Sequence, residues 1–165
     1  MPHIHEKIDF TVEVFVVYRS TVLLRRHDKY KIWLSVGGHI ELDEDPNQAA
    51  IREVKEETGL EVKLAGEVES FDNLADYEEL VPPKYLNRHQ VSETHEHVTL
   101  VYFATAESNE ISPAENEVSD EIRWFTKFEI DNPRYGVKAG TRHYARKALE
   151  ALSYETPIPR LFSQF

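Results

Sequence analysis

The sequence predicts an α/β domain, because strand-like apolar runs alternate along it with segments of helical character. Residues 10–18 and 97–106 are rich in valine, phenylalanine and tyrosine, as buried strands are. Residues 46–58 carry helix caps, and residues 137–152 carry apolar residues at helical spacing. The chain has 165 residues, of which 41% are hydrophobic. We therefore expect residues 1–165 to form a single domain with a substantial core.

The elements before residue 46 are predicted to be a strand pair followed by a glycine turn. Residues 10–18 and 21–26 have the pattern of strands and are joined by a tight turn near Ser20. The next apolar segment, residues 31–36, leads into the pair Gly37–Gly38.

The helix predicted over residues 46–58 has signals at both ends. Asp45 is a favourable N-cap, and Gln48 completes a capping box with it. Pro46 suits the first helical position, and Gly59 stands where a helix commonly ends. A helical wheel gives one side of Ala50, Ile51, Val54 and Thr58 and a neighbouring side of Glu53, Glu56 and Glu57.

Beyond this helix, the pattern predicts further strands, a long irregular segment and a second helix. Residues 61–71 indicate a strand or hairpin, and residues 72–92 an irregular stretch of a length that is usually functional. Residues 121–130 indicate a strand, and residues 137–152 an amphipathic C-terminal helix. The apolar tail after residue 152 is a candidate subunit contact, so a homodimer is one expectation.

Charge and composition argue against several classes of protein. A formal net charge of -11 repels phosphate backbones and argues against long nucleic acid as a partner. The chain has no cysteine, so disulfides and thiolate chemistry are absent and a cytoplasmic location is expected. We expect no contact with membranes, because the apolar runs are too short for a span and the first ten residues do not resemble a signal peptide.

Seven carboxylates crowd into residues 37–60, where Arg52 and Lys55 are the only basic residues. Like charges at helical spacing destabilise a helix by roughly 0.2–0.5 kcal/mol per pair. The ordinary explanation is a solvated acidic face. The alternative is a site for magnesium, which prefers oxygen ligands.

The spacing of these residues favours the magnesium site. Gly38 is followed by five residues of any type and Glu44, then by seven of any type and Arg52-Glu53-Val54. One residue of any type precedes Glu56-Glu57, and one more precedes Gly59-Leu60. This pattern resembles the signature of the Nudix hydrolases at every specified position. Residues 22–41 and 121–130 also resemble the segments on either side of that box in the family.

The resemblance implies a fold, an activity and a cofactor. The fold is a Nudix-type α/β/α sandwich around a mixed sheet. The activity is hydrolysis of a pyrophosphate bond in a small substrate in which a nucleoside diphosphate is linked to another moiety. The cofactor is Mg²⁺, with Mn²⁺ as the alternative, and its charge explains why the acidic crowding is tolerated.

The resemblance also assigns roles by position. Arg52 pairs with a box carboxylate and fixes its rotamer, and Glu44 orients other groups rather than coordinating the metal. Glu53 is a further ligand or the base that activates water, and Glu117, in the loop before residue 121, is the alternative base. The implied metal ligands are Gly37, through its carbonyl, Glu53, Glu56 and Glu57.

Two residues are candidates for substrate binding. His39, in the box loop, is placed to approach phosphates. Tyr77 lies 17 residues beyond Leu60 and resembles the tyrosine that stacks on a base in dinucleoside polyphosphate hydrolases of the family. Coincidence is the alternative for Tyr77, because the chain has eight tyrosines.

Some alternatives stay open at the level of sequence. His95 and His97 share one face of a strand entrance, where a two-histidine metal site, a substrate contact and an ordinary polar strand end are all compatible with the pattern. A catalytically inactive nucleotide-sensing module is a rival function, although no box glutamate is missing. An isoprenoid diphosphate isomerase of the same fold is the other rival, but its cysteine has no counterpart here.

Overall fold

The computed structural model describes residues 7–68, 77–114 and 119–153. Within these ranges the chain forms strands, three α-helices and a short 3-10 turn at Pro133–Tyr135. The strands are β1 Ile8–Tyr18, β2 Thr21–His27, β3 Trp33–Leu34, β4 Val62–Leu64, β5 Tyr85–Gln90, β6 Glu96–Ala106 and β7 Ser119–Thr126. The helices are α1 Pro46–Thr58, α2 Lys127–Asp131 and α3 Ala139–Leu152.

The strands form one mixed sheet. Its order is β3-β2-β1-β6-β4, with β7 paired to β2 and β5 paired to β6. β1 and β6 run parallel, from Ile8 opposite Glu96 to Val17 opposite Thr105. The other strand pairs are antiparallel, so the mixed sheet expected from the resemblance is confirmed.

β1 and β2 diverge soon after the turn that connects them. They pair at Val17 opposite Val22 and at the adjacent residue on each strand. Further along β1, residues 36–39 take the place of β2, because the N–H groups of Val14 and Val12 each donate to this segment at 2.8 Å. The divergence holds the glycine turn directly against β1.

Two hydrophobic layers cover the sheet, one under each long helix. Successive side chains of a strand point to opposite faces, so alternate residues of β1 enter different layers. The layer on α3 includes Phe15, Val17, Ala145, Ala148 and Leu149, and the layer on α1 includes Val12, Val14, Val16, Ala50 and Val54. The predicted α/β/α sandwich is therefore confirmed.

The caps predicted for α1 are confirmed. Asp45 Oδ1 accepts from the backbone N–H groups of Asn47 at 2.7 Å and Gln48 at 3.0 Å, and Gln48 Oε1 accepts from the Asp45 N–H at 3.0 Å. Gly59 ends the helix at φ 75°, where its N–H bonds to the carbonyl of Lys55 at 2.8 Å. A Cβ on Gly59 would lie 2.2 Å from the carbonyl oxygen of Ser112, so glycine is required there.

Three predicted elements have different boundaries in the structure. Residues 121–130 are not one strand: β7 ends at Thr126, which begins α2 through a capping box with Glu129. Residues 72–92 are not irregular throughout, because β5 lies within them and pairs with β6. α3 begins at Ala139 rather than residue 137. The segment 69–76 and the apolar tail lie outside the described residues.

None of the helices in the described ranges combines the length and the apolar character that a membrane crossing requires.

The capping geometry predicts the effect of Asp45→Ala. Loss of the carboxylate leaves two N–H groups of the first turn of α1 without their acceptor and should lower the free energy of unfolding by about 1 kcal/mol. Urea unfolding measures this change. Asp43→Ala is the control, because Asp43 is exposed on the preceding turn and should change stability by less than about 0.5 kcal/mol. Equal losses for the two variants would contradict the capping role.

Candidate active site

Two of the three glutamates on the acidic side of α1, Glu53 and Glu57, are buried rather than solvated. Glu53 and Glu57 are 7% and 5% exposed, whereas Ile51, which the helical wheel places on the neighbouring apolar side, is 41% exposed. A buried carboxylate is costly unless it is paired with a cation or hydrogen-bonded. A solvated acidic face therefore does not describe this helix, and each buried glutamate has an identifiable partner.

Arg52 is the centre of the first network. Its guanidinium binds Glu44 through two hydrogen bonds, Nε to Oε2 at 2.9 Å and Nη2 to Oε1 at 2.6 Å. Nη1 donates to Glu53 Oε1 at 2.9 Å and to Glu56 Oε2 at 3.1 Å. Nη2 also donates to the carbonyl of His39 at 3.0 Å. The hydrogen bond from Arg52 is the main reason that the pKa of Glu44 lies below its usual 4.5.

Glu57 belongs to a second network, built by β2 and the glycine turn. Nη2 of Arg25 lies 2.7 Å from Glu57 Oε1, and the Gly37 N–H donates to Oε2 at 2.9 Å. The side chains of Arg25 and Glu57 are 16% and 6% exposed, so this pair is largely shielded from water. Because both oxygens are engaged, the carboxylate is held toward the turn.

The turn itself requires two glycines. Gly37 has φ 147°, and a Cβ there would lie 2.1 Å from the carbonyl oxygen of Val12. A Cβ on Gly38 would lie 2.4 Å from Glu53 Oε1. The backbone of the turn is thus packed against β1 on one side and against the carboxylates of α1 on the other.

The two networks leave an excess of negative charge. Four carboxylates meet two guanidinium groups, so two negative charges are uncompensated within these contacts. The side chain of Glu56 is 46% exposed, which makes the cluster accessible from solvent. Carboxylate oxygens with this charge balance suit a divalent cation such as Mg²⁺, which also keeps water and phosphate oxygens in its coordination sphere.

A polar cavity lies beside the networks, where β2 diverges from β1. Its volume is about 450 Å³, within the range of small-molecule sites. Arg25, Gly37 and Gly38 line it, which connects the cavity to the box residues. The remaining polar side chains of its wall are Thr11, Glu13, His27, Ser35, His39, His89, His97 and Thr99.

The structure brings together most of the residues that the sequence singles out. Glu53, Glu56, Glu57 and Arg52 meet at the glycine turn, as described above. His39 lines the polar cavity, and its Nε2 lies 3.2 Å from Oδ2 of Asp9.

Two other predicted site residues are not placed at this cluster. Tyr77 is 60% exposed and is absent from the described lining of the polar cavity. Glu117 lies outside the described residues, so the prediction that it is the alternative base stays untested.

Three residues at the site were not predicted from the sequence. Asp9 and Glu13 carry a detectable signal, because each is an acidic residue within a strand that is otherwise apolar. Arg25 carries none, because its importance comes from a contact with Glu57, which is 32 positions away in the chain. Such a contact becomes visible only when β2 and α1 are placed in space.

Comparison with known proteins agrees with this geometry. The family model described as NUDIX domain matches residues 9–147. The m7GpppN-mRNA hydrolase NUDT17 of Xenopus laevis is 33% identical over an alignment of 123 positions that covers 68% of this chain. The present chain spans 40% of the length of that relative.

Solved structures give the same picture. A hydrolase of the NUDIX family from Clostridium perfringens is 37% identical, with a TM-score of 0.77 over 87% of this chain and 97% of that one. A MutT NUDIX hydrolase from Burkholderia pseudomallei is 22% identical, with a TM-score of 0.61 over 89% and 99% of the two chains, and shows likeness of fold. With the match over residues 9–147 and the complete signature at residues 38–60, the chain belongs to the Nudix hydrolase family.

Proposed function

We propose that this chain hydrolyses a pyrophosphate bond in a small substrate in which a nucleoside diphosphate is linked to another moiety. The observation that carries the proposal is the cluster of α1 carboxylates beside the glycine turn, with Glu53 and Glu57 buried in it. The adjoining polar cavity of about 450 Å³ supports it, because the cavity wall includes the same turn.

Mg²⁺ is the proposed cofactor, with Mn²⁺ as the alternative. Glu53, Glu56 and Glu57 would hold it, together with the carbonyl of Gly37. Val36 and Gly38 direct their carbonyls to β1, whereas the N–H of Gly37 points to Glu57. The Gly37 N–H therefore already lies at a carboxylate that is proposed as a ligand. The bound ion supplies charge for the phosphates and lowers the pKa of a coordinated water.

Arg52 and Arg25 are proposed to hold the ligands in place. Arg52 binds Glu44 by two hydrogen bonds and donates to Glu53 and Glu56 through Nη1. Arg25 fixes Glu57 together with the backbone of the turn. A guanidinium in this position limits repulsion between the carboxylates and fixes their orientation.

Two glutamates are candidates for the base that takes the proton from water. Glu53 lies in the carboxylate cluster, where a bound cation would favour its ionised form and make it a better ligand than base. Glu117 is the alternative, since a carboxylate further from the cation keeps a higher proton affinity. We assign Glu53 first, as ligand or base.

The polar cavity is proposed to hold the nucleotide. His39 would approach the phosphates from the box loop, and Tyr77 is proposed to stack on the base. A relative is named as an mRNA cap hydrolase, so a cap dinucleotide belongs among the substrates to test. A charge of -11 favours a small nucleotide over a long RNA. A cytoplasmic location and a homodimer are further proposals, and light scattering of the purified chain tests the latter.

Glu13 supports a functional role for the cavity. Burial raises the pKa of this carboxyl from 4.5 to about 6. Glu13 lines the cavity beside Arg25 and the glycine turn, in a strand whose neighbouring residues are apolar. An acidic residue that costs stability at such a position is typical of binding and catalytic sites.

The rival functions predict different outcomes from the same assay. A sensing module would bind nucleotide without product formation, and an isomerase would leave the diphosphate intact. The relatives named as hydrolases and the intact set of box glutamates favour hydrolysis.

Substitution of the proposed ligands tests the activity. Glu56→Gln and Glu57→Gln each keep the side-chain shape and remove one ligand charge, so turnover should fall by about 100-fold or more. Product release is measured with Mg²⁺ or Mn²⁺ over nucleoside triphosphates, dinucleoside polyphosphates, nucleotide sugars, ADP-ribose, NADH and a cap dinucleotide. Glu61→Gln is the matched control, because the Glu61 side chain is 78% exposed and pairs with Lys55.

Thermal unfolding separates loss of the metal from loss of the fold. Mg²⁺ should raise the Tm of the wild-type chain, since it binds the folded state preferentially. The Glu56→Gln, Glu57→Gln double variant should show a smaller rise. Full turnover by either single variant, or equal Tm shifts for wild type and double variant, would refute these ligands.

The assignment of the base predicts different pH profiles for two variants. At saturating Mg²⁺, Glu53→Gln should lower the rate across the pH range, because a group at the metal is lost. If Glu117 accepts the proton, Glu117→Gln should remove the acidic limb of the rate profile. A wild-type rate and a wild-type acidic limb in Glu117→Gln would exclude Glu117 as the base and leave Glu53 in that role.

The raised pKa of Glu13 predicts a pH-dependent stability difference for Glu13→Gln. Below pH 4.5 the carboxyl is protonated in both folded and unfolded chains, so it contributes no pH dependence. As pH rises to about 6, the unfolded chain ionises first and the folded state loses stability. Above that value the cost reaches at most about 2 kcal/mol. Urea unfolding without metal should therefore show that the free energy of unfolding of Glu13→Gln rises relative to that of wild type between about pH 4 and pH 7. A difference that does not change with pH would contradict this prediction.

A further inference from the structure

A cluster of imidazoles and one carboxylate lies at the end of the sheet, apart from the box carboxylates. We call Asp9, His95 and His97 the Asp9 cluster. Asp9 and His97 are the second residues of β1 and β6, and the parallel register places them side by side. His95 lies two positions before His97 and therefore on the same face of the sheet. His39, from the box loop, reaches the same carboxylate.

The atoms of this cluster have the spacing of a small coordination site. One carboxylate oxygen of Asp9 and one ring nitrogen from each histidine all lie within 4.8 Å of one another. Nε2 of His95 lies 3.3 Å from Asp9 Oδ2, and Nε2 of His39 lies 3.2 Å from the same oxygen. Ligands of tetrahedral zinc, at about 2.0–2.1 Å from the ion, are about 3.3 Å apart.

Burial makes the cluster unusual for a polar strand end. Asp9 is 0% exposed and His95 is 6% exposed. Nε2 of His97 is also buried, and among the described residues it has no hydrogen-bond partner. A buried ring nitrogen without a hydrogen-bond partner is costly, and a metal ion is one group that would use its lone pair.

The protonation state of His97 agrees with a role as ligand. Burial, followed by the neighbouring imidazoles of His39, His89 and His95, lowers the pKa of His97 from 6.5 to about 4. The ring is therefore neutral at pH 7, which is the form that coordinates metals.

We propose that Asp9, His95 and His97 bind a divalent transition metal, with Zn²⁺ as the first candidate. Imidazole nitrogens with one carboxylate suit zinc and its neighbours, whereas Mg²⁺ prefers oxygen ligands. His39 lies beside this cluster. Its imidazole contacts Asp9 and its carbonyl accepts from Arg52, so the metal would join β1 and β6 to the box loop. The proposal rests on this cluster and is independent of the proposed hydrolysis.

Cobalt substitution tests the site directly. The untagged full chain, stripped of metal by a chelator, is titrated with Co²⁺, whose visible absorption reports coordination by nitrogen ligands, and Zn²⁺ is then added as competitor. The wild-type chain should bind one equivalent of Co²⁺ with a visible band that Zn²⁺ abolishes. His97→Gln and Asp9→Asn should each weaken this binding by about 100-fold or more, because each removes a ligand.

Matched variants exclude other binding positions. His143→Gln, at an exposed histidine of α3, should keep the band, and so should a variant in which His3 and His5 are both changed to Asn. The Glu56→Gln, Glu57→Gln double variant should also keep the cobalt band while its Mg²⁺-dependent Tm shift falls. Circular dichroism without metal confirms that each variant is folded before titration.

Three results would overturn the proposal. A folded wild-type chain that gives no visible band with Co²⁺ would show that the Asp9 cluster does not bind a metal. An unchanged band in both His97→Gln and Asp9→Asn would place the ion elsewhere. Loss of the band in the variant of His3 and His5 alone would assign binding to those two histidines instead.

Discussion

The burial of Glu53 and Glu57 on one face of α1 is the constraint on which the rest of the site depends. Two carboxylates with 7% and 5% exposure need cationic or N–H partners, and each finds them in a different part of the chain. Arg52 serves Glu53 from the same helix, whereas Arg25 serves Glu57 from β2. The turn can supply its N–H only because its two residues have no Cβ. The arrangement of the box residues therefore depends on the sheet as well as on the helix.

Sequence reasoning succeeded where the signal is local. The caps of α1, the strands around residues 10–18 and 97–106, and the sandwich implied by the box all agree with the structure. It failed where a long-range contact decides the outcome: β5 is a strand because β6 offers it an edge, and Arg25 matters because Glu57 faces it. The end of β7 is a different failure, since Thr126 and Glu129 form a capping box that is legible in the sequence.

The divergence of β1 from β2 explains why polar residues collect at one end of the sheet. Near the connecting turn the two strands pair and their side chains enter the core on α3, including Phe15 and Val22. Toward the start of β1 the same face carries Asp9, Thr11 and Glu13, and the cavity takes the place of α3. One continuous strand face thus changes from hydrophobic core to functional surface. The His39 carbonyl accepts from Arg52 and its imidazole contacts Asp9, so this one residue joins the carboxylate cluster to the Asp9 cluster.

The parallel pairing of β1 with β6 also has a consequence for synthesis on the ribosome. Thr11 and Thr99 bond through their hydroxyl groups at 2.7 Å although 88 positions separate them. Closing so large a loop is slow compared with forming a capped helix. α1 can therefore form early in the nascent chain, but the strand that receives the glycine turn lacks its central neighbour until Ala106 has been translated. Until then the sheet that supports the site of Glu53 and Glu57 is incomplete. Premature release of the chain would expose an acidic helix together with the valine-rich edge of β1.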